Sequence, residues 1–471
     1  MTNKNNFWGV TIIYSGGFLA LRAISFLLLP LYTNLLTTKE AGYIFILYTI
    51  IAFLNTLYNH GMDSSLLKFY NPAHSKKIIS TSIIYSMIYG LILSVILFFF
   101  LTVGDNPLLG YFHEVSWYLS ILDITLLLLC VLFFDMLSSR LMTIVRLLEK
   151  PFYFLLVSFV NVGFSLYLNI YFIKILNMGF SGALLSIAGV SVIQLATLSP
   201  LMLWNVKLKL CDYSLLKKMV VFSLPFLPAS MFFIMIEMAD RLMLGWLSSV
   251  EDVGLYGAGY KIGAIILLIV RAFNLNWQPF YLKDEHQNST VQFENIGTKF
   301  IVILIFISTI ISMLWTLLFK INVGGFFLIG KEFWDGGNII PIISFSYVIY
   351  GVFILQMPSI YLKNKQNWVP YFWGLGFAVN IIMNYTLIPI YGFYGAAIAT
   401  LSAYWAMTML LIYKNQRWLP IKYRLNDIIY IVIISLIALY CYNKAVVAFF
   451  IIMIIYIILG IIKIISMKKV V

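Results

Sequence analysis

The chain has 471 residues, of which 62% are hydrophobic and only 10% are charged, and its formal net charge is +13. Soluble globular domains carry about 25% charged residues, so this composition excludes a soluble globular protein. Apolar segments near the roughly 20 residues that cross a hydrocarbon core recur along the whole chain, which predicts an all-α integral membrane protein.

These segments predict about fourteen transmembrane helices, each near the length that a bilayer requires. In chain order they cover residues 9–31, 42–62, 79–103, 117–138, 151–174, 181–204, 219–247, 254–279, 299–319, 338–358, 368–390, 395–413, 426–443 and 445–465. No connection is long enough for a catalytic domain, so we expect neither an enzyme nor a cofactor. The 3 cysteines and 4 histidines lie scattered, without the spacing of metal ligands, so no metal site is predicted.

The basic residues predict the orientation of these helices. With the N-terminus in the cytoplasm, 22 Lys and Arg side chains, Arg140 among them, fall on the cytoplasmic side and 5 on the other. This asymmetry follows the positive-inside rule, so both termini are predicted to be cytoplasmic. The rule also accounts for the basic excess without nucleic acid as a partner.

Two pairs of segments indicate an internal repeat. The stretch LLTTKEAGYIFILYTI (35–50) aligns with LSSVEDVGLYGAGYKI (247–262) at an offset of 212. The stretch GFSGALLSIAG (179–189) aligns with GFYGAAIATLS (392–402) at an offset of 213. Reuse of glycine in short helix-start turns is the alternative explanation.

The repeat predicts two pseudo-symmetric six-helix lobes in the same orientation, followed by two further helices. We assign residues 1–211 to the N-terminal lobe, 212–417 to the C-terminal lobe and 418–471 to the last two helices. Two such lobes can enclose a central cavity that opens alternately to each side of the membrane. This arrangement is typical of transporters.

Charged residues inside the predicted spans mark the candidate site, because each costs roughly 2.5–3.5 kcal/mol to insert and usually faces a cavity or a partner. The basic ones are Arg22, Arg241, Lys261 and Arg271. Lys261 and Arg271 lie within about 80° of each other on one helical wheel, so both can face one lumen. Arginine and lysine bind phosphate well where water is scarce, so these four residues predict an anionic substrate, such as a phosphate or a uronic acid.

The two acidic residues of the seventh span have more than one interpretation. Glu237 is spaced to pair with Arg241 one turn later, which leaves Lys261 as a partner for Asp240. Alternatively, Glu237 and Asp240 carry a coupling ion, either a proton or sodium, since removal from water favours the protonated acid. Three other acids, Asp63, Asp123 and Asp135, lie nearer predicted helix ends, where solvation or helix capping is expected.

Prolines and a polar aromatic end distinguish the seventh and eighth spans. Pro225 and Pro228 each remove a backbone hydrogen bond, so we predict a hinge there. The eighth span ends with Asn274, Asn276 and Trp277, which suit contact with sugar. For Trp277, a place in the aromatic belt of the membrane interface is the alternative.

Residues 222–283 carry the order LP…DR…LG…VGLY…YK…W.PF and resemble the centre of bacterial polysaccharide flippases. Residues 35–70 resemble the first-lobe counterpart, and the plan of six, six and two helices agrees over essentially the whole chain. The chain is therefore similar to the O-antigen-type, lipid-linked oligosaccharide flippases of the multidrug/oligosaccharidyl-lipid/polysaccharide (MOP) exporter superfamily. A fold like that of the MATE transporters is implied.

The resemblance implies that undecaprenyl-diphosphate-linked sugar repeat units cross from the inner to the outer leaflet of the bacterial cytoplasmic membrane. Alternating access, driven by an ion gradient or the membrane potential, is the implied mechanism. Asp240 and Arg241 match the DR motif, and Arg22, Lys261 and Arg271 become candidates to hold the diphosphate or acidic sugars. Membrane lipids, a polysaccharide polymerase and a chain-length regulator are the implied partners.

Three other functions compete with this interpretation. A lipid II flippase would share both the fold and a cationic cavity. A cation-coupled multidrug exporter would favour an acidic or aromatic cavity, which four interior basic residues oppose. A membrane glycosyltransferase or polymerase would need a long catalytic loop, and the short connections do not provide one.

Overall fold

The computed structural model describes residues 7–103, 112, 118–282, 290–442 and 449–466. Within these ranges the chain is almost entirely helical, and the one sheet found there is a hairpin of β1 (Asn322–Val323) and β2 (Phe326–Phe327). The predicted all-α class is therefore confirmed.

The helices fall into two compact units, residues 1–234 and 235–471. The first unit contains α1 (Phe7–Leu35), α2 (Thr38–Asn59), α3 (Met62–Phe69), α4 (Ser75–Thr102), α5 (Ile121–Leu147), α6 (Pro151–Asn169), α7 (Gly179–Asn205) and α8 (Tyr213–Ser223). A π-helical turn, Ile170–Ile175, extends α6.

The next helix, α9 (Phe226–Leu247), begins in the first unit and ends in the second. The second unit continues with α10 (Val250–Gly263), α11 (Ile265–Leu282), α12 (Thr290–Lys320), α13 (Ile340–Leu355), α14 (Pro358–Leu362), α15 (Val369–Tyr391), α16 (Phe393–Trp418), α17 (Leu425–Tyr442) and α18 (Phe449–Ser466). The division inside α9 leaves the predicted lobe boundaries, after residues 211 and 417, as a prediction.

The lengths of these helices suit a membrane. In the described part of the chain, 9 helices are long and apolar enough to cross a bilayer, or 11 if each bent pair is one span. Three shorter apolar helices lie within α1, α17 and α18 and are not among these spans, so the number of fourteen stays a prediction. The bent pairs are α8 with α9 and α10 with α11, which the sequence presented as continuous spans.

The repeat seen in sequence returns as a repeated helix start. Thr37 caps α2 by accepting a hydrogen bond from the main-chain N–H of Glu40 at 3.2 Å. Ser249, 212 residues later, caps α10 by accepting one from the N–H of Asp252 at 3.1 Å. The same cap therefore opens the second helix of each half, as expected where a side-chain oxygen satisfies a free N–H at a helix N-terminus.

The carboxylate at the third position of each of these helices, Glu40 or Asp252, also lies against a glycine in the left-handed region. Gly179 and Gly392 both have φ of 52°, which L-residues with a side chain rarely adopt. A Cβ atom on Gly179 would touch the carboxylate of Glu40, and one on Gly392 would lie 2.9 Å from that of Asp252. The same contact between a glycine and an acid therefore occurs in both halves of the chain. Gly179 packs against Glu40 in the first half, and Gly392 packs against Asp252 in the second.

We expect Gly179→Ala and Gly392→Ala to destabilise the protein by similar amounts. Each substitution places an L-residue at positive φ, at a cost of roughly 1–2 kcal/mol, and adds a contact with a carboxylate. Thermal unfolding of the purified protein in detergent measures the effect. Gly374→Ala is the matched control, because a Cβ at Gly374 meets nothing within 4 Å. A loss of stability in only one of the two variants would contradict the structural repeat.

A second repeated feature is the docking of the connection that follows the sixth helix of each half. The N–H groups of Lys207 and Asp212 donate to the hydroxyls of Ser80 and Thr81 at 2.9 and 3.1 Å. The Asp212 carboxylate pairs with Lys77 at 2.5 Å, and this ammonium, with further hydrogen bonds, holds the pKa of Asp212 well below its usual range.

The second half repeats this docking. The N–H groups of Lys422 and Arg424 donate to the side-chain oxygens of Glu294 and Thr298 at 3.0 and 3.1 Å. The last two helices then pack on α12, with an ion pair of 2.6 Å between Asp427 and Lys463. The C-terminal pair of helices is therefore part of the second unit.

Candidate functional site

The interior charges of the second unit gather where α9, α10 and α11 meet. Asp240 and Arg241, adjacent on α9, form an ion pair of 3.1 Å, and both are buried. Arg241 also donates to the main-chain oxygen of Glu237 at 2.9 Å, not to its carboxylate. The hydroxyl of Tyr256 on α10 donates to the Asp240 carboxylate, in place of the predicted Lys261.

An aromatic face completes the surroundings of Arg241. Its guanidinium lies 4.2 Å from the ring centre of Tyr260 and 5.6 Å from that of Tyr256. Cation–π contacts of this kind favour a cation held out of water. A carboxylate, a carbonyl and two rings therefore surround Arg241, and its predicted contact with substrate stays a prediction.

Glu237 has a different partner, on the far side of a helix break. Arg271 on α11 donates to the Glu237 carboxylate at 2.7 Å. The break follows Gly263, and α10 and α11 meet at 42°. The Glu237 side chain is 9% exposed but that of Arg271 is 28% exposed. Arg271 is thus the more accessible partner of the pair.

Tyrosines from three helices line this part of the second unit. Tyr260 hydrogen-bonds to Tyr347 on α13, and its hydroxyl lies 3.4 Å from the main-chain oxygen of Glu237. Tyr404 on α16 lies 5.6 Å from Tyr347 and 5.2 Å from Tyr350, measured between ring centres. Sequence reasoning missed this tyrosine cluster, because single tyrosines on apolar helices carry no spacing signal.

The remaining basic candidates are less well defined. Lys261 lies half-buried near the end of α10, three residues before Ala264 at the break. A shared lumen for Lys261 and Arg271 stays a prediction. It was based on a helical wheel that treats residues 254–279 as one straight helix, whereas the chain bends by 42° between α10 and α11. Arg22 lies on α1, but its side chain is outside the described residues, so its role also stays a prediction.

The predicted hinge coincides with an interruption of the helix. Regular helix ends at Ser223 and resumes at Phe226, so Leu224 and Pro225 form the break and Pro228 lies in the first turn of α9. Loss of backbone hydrogen bonds at proline explains the interruption. Whether this break acts as a hinge stays a prediction.

Trp277 serves neither of the roles considered from sequence. It is 2% exposed, and its indole N–H donates to the main-chain oxygen of Ile354 at 3.3 Å. Phe273 and Phe280 stack on it with ring centres 5.5 and 5.8 Å away. Trp277 is therefore part of the packed interior, which corrects both the expected contact with sugar and the alternative place in the interfacial belt.

The first unit holds a charged network that the sequence placed elsewhere. Arg140, counted above in a cytoplasmic connection, lies inside α5 and is fully buried. It pairs with Asp63 at 2.5 Å and donates to the main-chain oxygen of Asn59 at 2.8 Å, where α2 ends. The predicted span ended too early, at residue 138, because the apolar residues after Arg140 were assigned to the connection.

This network also corrects the expected role of Asp63. It lies in the first turn of α3 and is 31% exposed, but it also pairs with a buried arginine and accepts a hydrogen bond from Ser139 at 3.0 Å, so its role extends beyond solvation or capping. Asp123, by contrast, accepts hydrogen bonds from Ser120 in a capping box, as expected. Because Arg140 lies inside the helix, the cytoplasmic side has one basic residue fewer than counted from sequence. It still has far more basic residues than the other side.

The two halves differ in charge even though they repeat in structure. At the offset of 212, Asp240 and Arg241 correspond to Leu28 and Leu29. The positions that match Glu237, Lys261 and Arg271 are occupied by uncharged residues, namely Ser25, Thr49 and Asn59. The charged cluster is therefore an addition to the repeated framework and is not required by it.

Comparison with known families supports the fold and the resemblance. A family model described as polysaccharide biosynthesis protein matches residues 8–279, more than half of the chain. Comparison with curated proteins gives no match.

Several solved transporter structures share the fold. The lipid II flippase MurJ, in an inward closed conformation, is 16% identical with a TM-score of 0.66 over 98% of both chains. An inward-facing MATE family transporter of the MOP superfamily is 12% identical with a TM-score of 0.61, covering 84% of this chain and 93% of its own.

A MOP superfamily transporter from Pyrococcus furiosus is 10% identical with a TM-score of 0.54, covering 93% of this chain and 96% of its own. Its structure is described as having a binding pocket of reverse polarity that suggests a different function. Identities this low establish the fold alone, and the fold is that of the MOP transporters.

Proposed function

The chain belongs to the polysaccharide biosynthesis protein family, and from this premise we propose that it is a flippase for lipid-linked oligosaccharides. Its substrate is an undecaprenyl-diphosphate-linked repeat unit of O-antigen or a related surface polysaccharide. The protein moves this unit from the inner to the outer leaflet of a bacterial cytoplasmic membrane by alternating access, with both termini cytoplasmic. It transports its substrate without chemical change, and a polymerase and a chain-length regulator act on the product.

The exposed side of the Glu237–Arg271 pair supports this function most directly. Arg271 is a membrane-interior cation whose side chain is 28% exposed and whose guanidinium donates to the Glu237 carboxylate at 2.7 Å. A diphosphate offers several oxygens with the geometry that a guanidinium binds in two-point contacts. It can therefore compete with Glu237 for Arg271, whereas Asp240 already occupies Arg241.

The charge balance favours an anion over an organic cation. The described side chains Arg241, Lys261 and Arg271 outnumber Glu237 and Asp240, so the cluster is formally cationic. A multidrug exporter for cations would need the opposite sign. Lipid II also carries a diphosphate, so a lipid II flippase stays the second candidate, which the shared fold supports.

Reconstitution in lipid vesicles tests the proposal. We expect vesicles that contain the purified protein to move a fluorescent undecaprenyl-diphosphate oligosaccharide between leaflets, as measured by its accessibility to a membrane-impermeant quencher. Vesicles without protein measure the spontaneous rate. Equal rates in both would refute a flippase. Faster movement of fluorescent lipid II than of the oligosaccharide would favour the second candidate.

A further inference from the structure

The first unit holds an interior carboxylate that differs from all those described above. Asp135 lies on α5, about 21 Å from the first residue of the helix and about 18 Å from the last at 1.5 Å per residue. The predicted span ended at residue 138 and placed Asp135 near a helix end. In the structure it is close to the middle of a membrane-spanning helix.

The partners of Asp135 are neutral. The hydroxyl of Ser191 on α7 donates to its carboxylate at 2.6 Å. The side-chain amide of Asn55 on α2 lies near the same carboxylate. Glu237, Asp240 and Asp63 each have an arginine partner, and a nearby cation favours the ionised acid. Among these interior acids, Asp135 is the one that forms no ion pair with any side chain that the structure describes.

The other ionisable groups of the first unit do not supply that charge. The helices packed against α5 are α2, α3, α4, α6 and α7. Together with His60, which joins α2 to α3, these helices carry Lys39, Glu40, Tyr43, Tyr48, Tyr58, Asp63, Lys68, Lys76, Lys77, Tyr85, Tyr89, Tyr153 and Tyr167. Within the described residues, none of the basic groups among them forms an ion pair with the carboxylate of Asp135. On α5 itself, Arg140 lies more than one turn away and is engaged by Asp63.

The site can satisfy both protonation states. The buried Oδ1 atom of Asn55 makes no hydrogen bond to any described residue. An asparagine amide offers a donor and an acceptor that exchange places when the group turns over. The amide N–H therefore suits the ionised carboxylate, and the free oxygen can accept from the protonated acid. Neither state leaves Asp135 unbonded.

From this geometry we infer that Asp135 is a proton-binding site, and that it takes up and releases the proton that couples transport to the pH gradient. This coupling role rests on the proposed flippase function, but the proton site itself does not. The paired acids Glu237 and Asp240 are then not the coupling groups. A membrane-interior ionisable residue without a fixed counter-charge is typical of proton pathways.

Infrared difference spectroscopy of the protein in lipid tests the proton site without substrate. Between mildly acidic and mildly alkaline pH, we expect loss of the C=O stretching band of a protonated carboxylic acid. This band should be absent from Asp135→Asn and shifted in Asp135→Glu, which keeps a carboxyl group. Asp123→Asn, the same change at the exposed start of α5, is the matched control and should retain it. Identical spectra for the wild type and Asp135→Asn would overturn the inference.

Transport in vesicles tests the coupling role. We expect an imposed pH gradient to accelerate flipping by the wild type and by Asp123→Asn. Asp135→Asn, which resembles the permanently protonated acid, should flip at the rate seen without a gradient. Full gradient stimulation of Asp135→Asn, or stimulation of the wild type by a sodium gradient alone, would overturn coupling through Asp135. Absence of flipping in the wild type would refute the proposed function and, with it, coupling, whereas the infrared band would still decide whether Asp135 binds a proton.

Discussion

Arg271→Ala should reduce the flipping rate in vesicles by roughly tenfold or more, because losing a charge-assisted hydrogen bond costs about 1.5–3 kcal/mol. The proposed diphosphate loses its accessible cation, and Glu237 loses its partner. In cells that depend on this protein for export, surface polysaccharide should fall with the rate. Immunoblotting of the polymer, alongside the vesicle assay, measures both effects.

Further variants separate binding from folding in this experiment. Glu237→Gln combined with Arg271→Ala leaves no unpaired carboxylate, so this double variant should insert normally yet remain inactive. Arg271→Lys keeps the charge but loses the two-point geometry, so it should retain part of the activity. Arg417→Ala, at an exposed arginine near the end of α16, is the matched control. Wild-type flipping by Arg271→Ala would show that the diphosphate is bound elsewhere.

Asp240→Ala should destabilise the protein by about 3–5 kcal/mol, because it leaves Arg241 buried without its counter-charge. The hydroxyl of Tyr256 also loses its acceptor. Thermal unfolding in detergent, together with the amount of protein inserted in the membrane, should show this loss. The effect concerns stability, in contrast to Arg271→Ala, which concerns binding.

The repeat suggests a double substitution that should restore the stability lost in Asp240→Ala. Replacing Asp240 and Arg241 together by leucine installs the pair that the first half carries as Leu28 and Leu29. Exchanging a buried ion pair for well-packed apolar residues is often neutral or stabilising. The double variant should therefore unfold at or above the temperature of Asp240→Ala. A double variant less stable than Asp240→Ala would argue against a purely structural pair.

The sequence was sufficient to predict the membrane fold, because span length is fixed by bilayer thickness and apolar runs of that length are easily recognised. The repeat was visible because the helix-start acids and their glycines keep a near-constant spacing of 212–213 residues. Residues such as Asp240 and Arg241 were identified because charges stand out within an apolar helix. These features depend on local chemistry that the chain order preserves.

The pairing of these charges was not predictable from sequence. Arg271 meets Glu237 across 34 residues and past the bend after Gly263, whereas a helical wheel assumes a straight helix. Arg140 and Asp135 were misplaced because hydropathy locates the end of a span poorly where a charge is buried. A buried charge is detectable only through its tertiary partners, and these lie on other helices.

The adjacency of Asp240 and Arg241 has a consequence for biogenesis. During synthesis α9 enters the bilayer before α11 exists, so each of its charges would add roughly 2.5–3.5 kcal/mol to the cost of insertion. Two oppositely charged neighbours on one helix can neutralise each other as soon as that helix forms. The ion pair of Glu237 with Arg271 can form only after α11 has been synthesised. The order of the residues thus eases the entry of a charged helix into lipid, well before the finished bundle surrounds it.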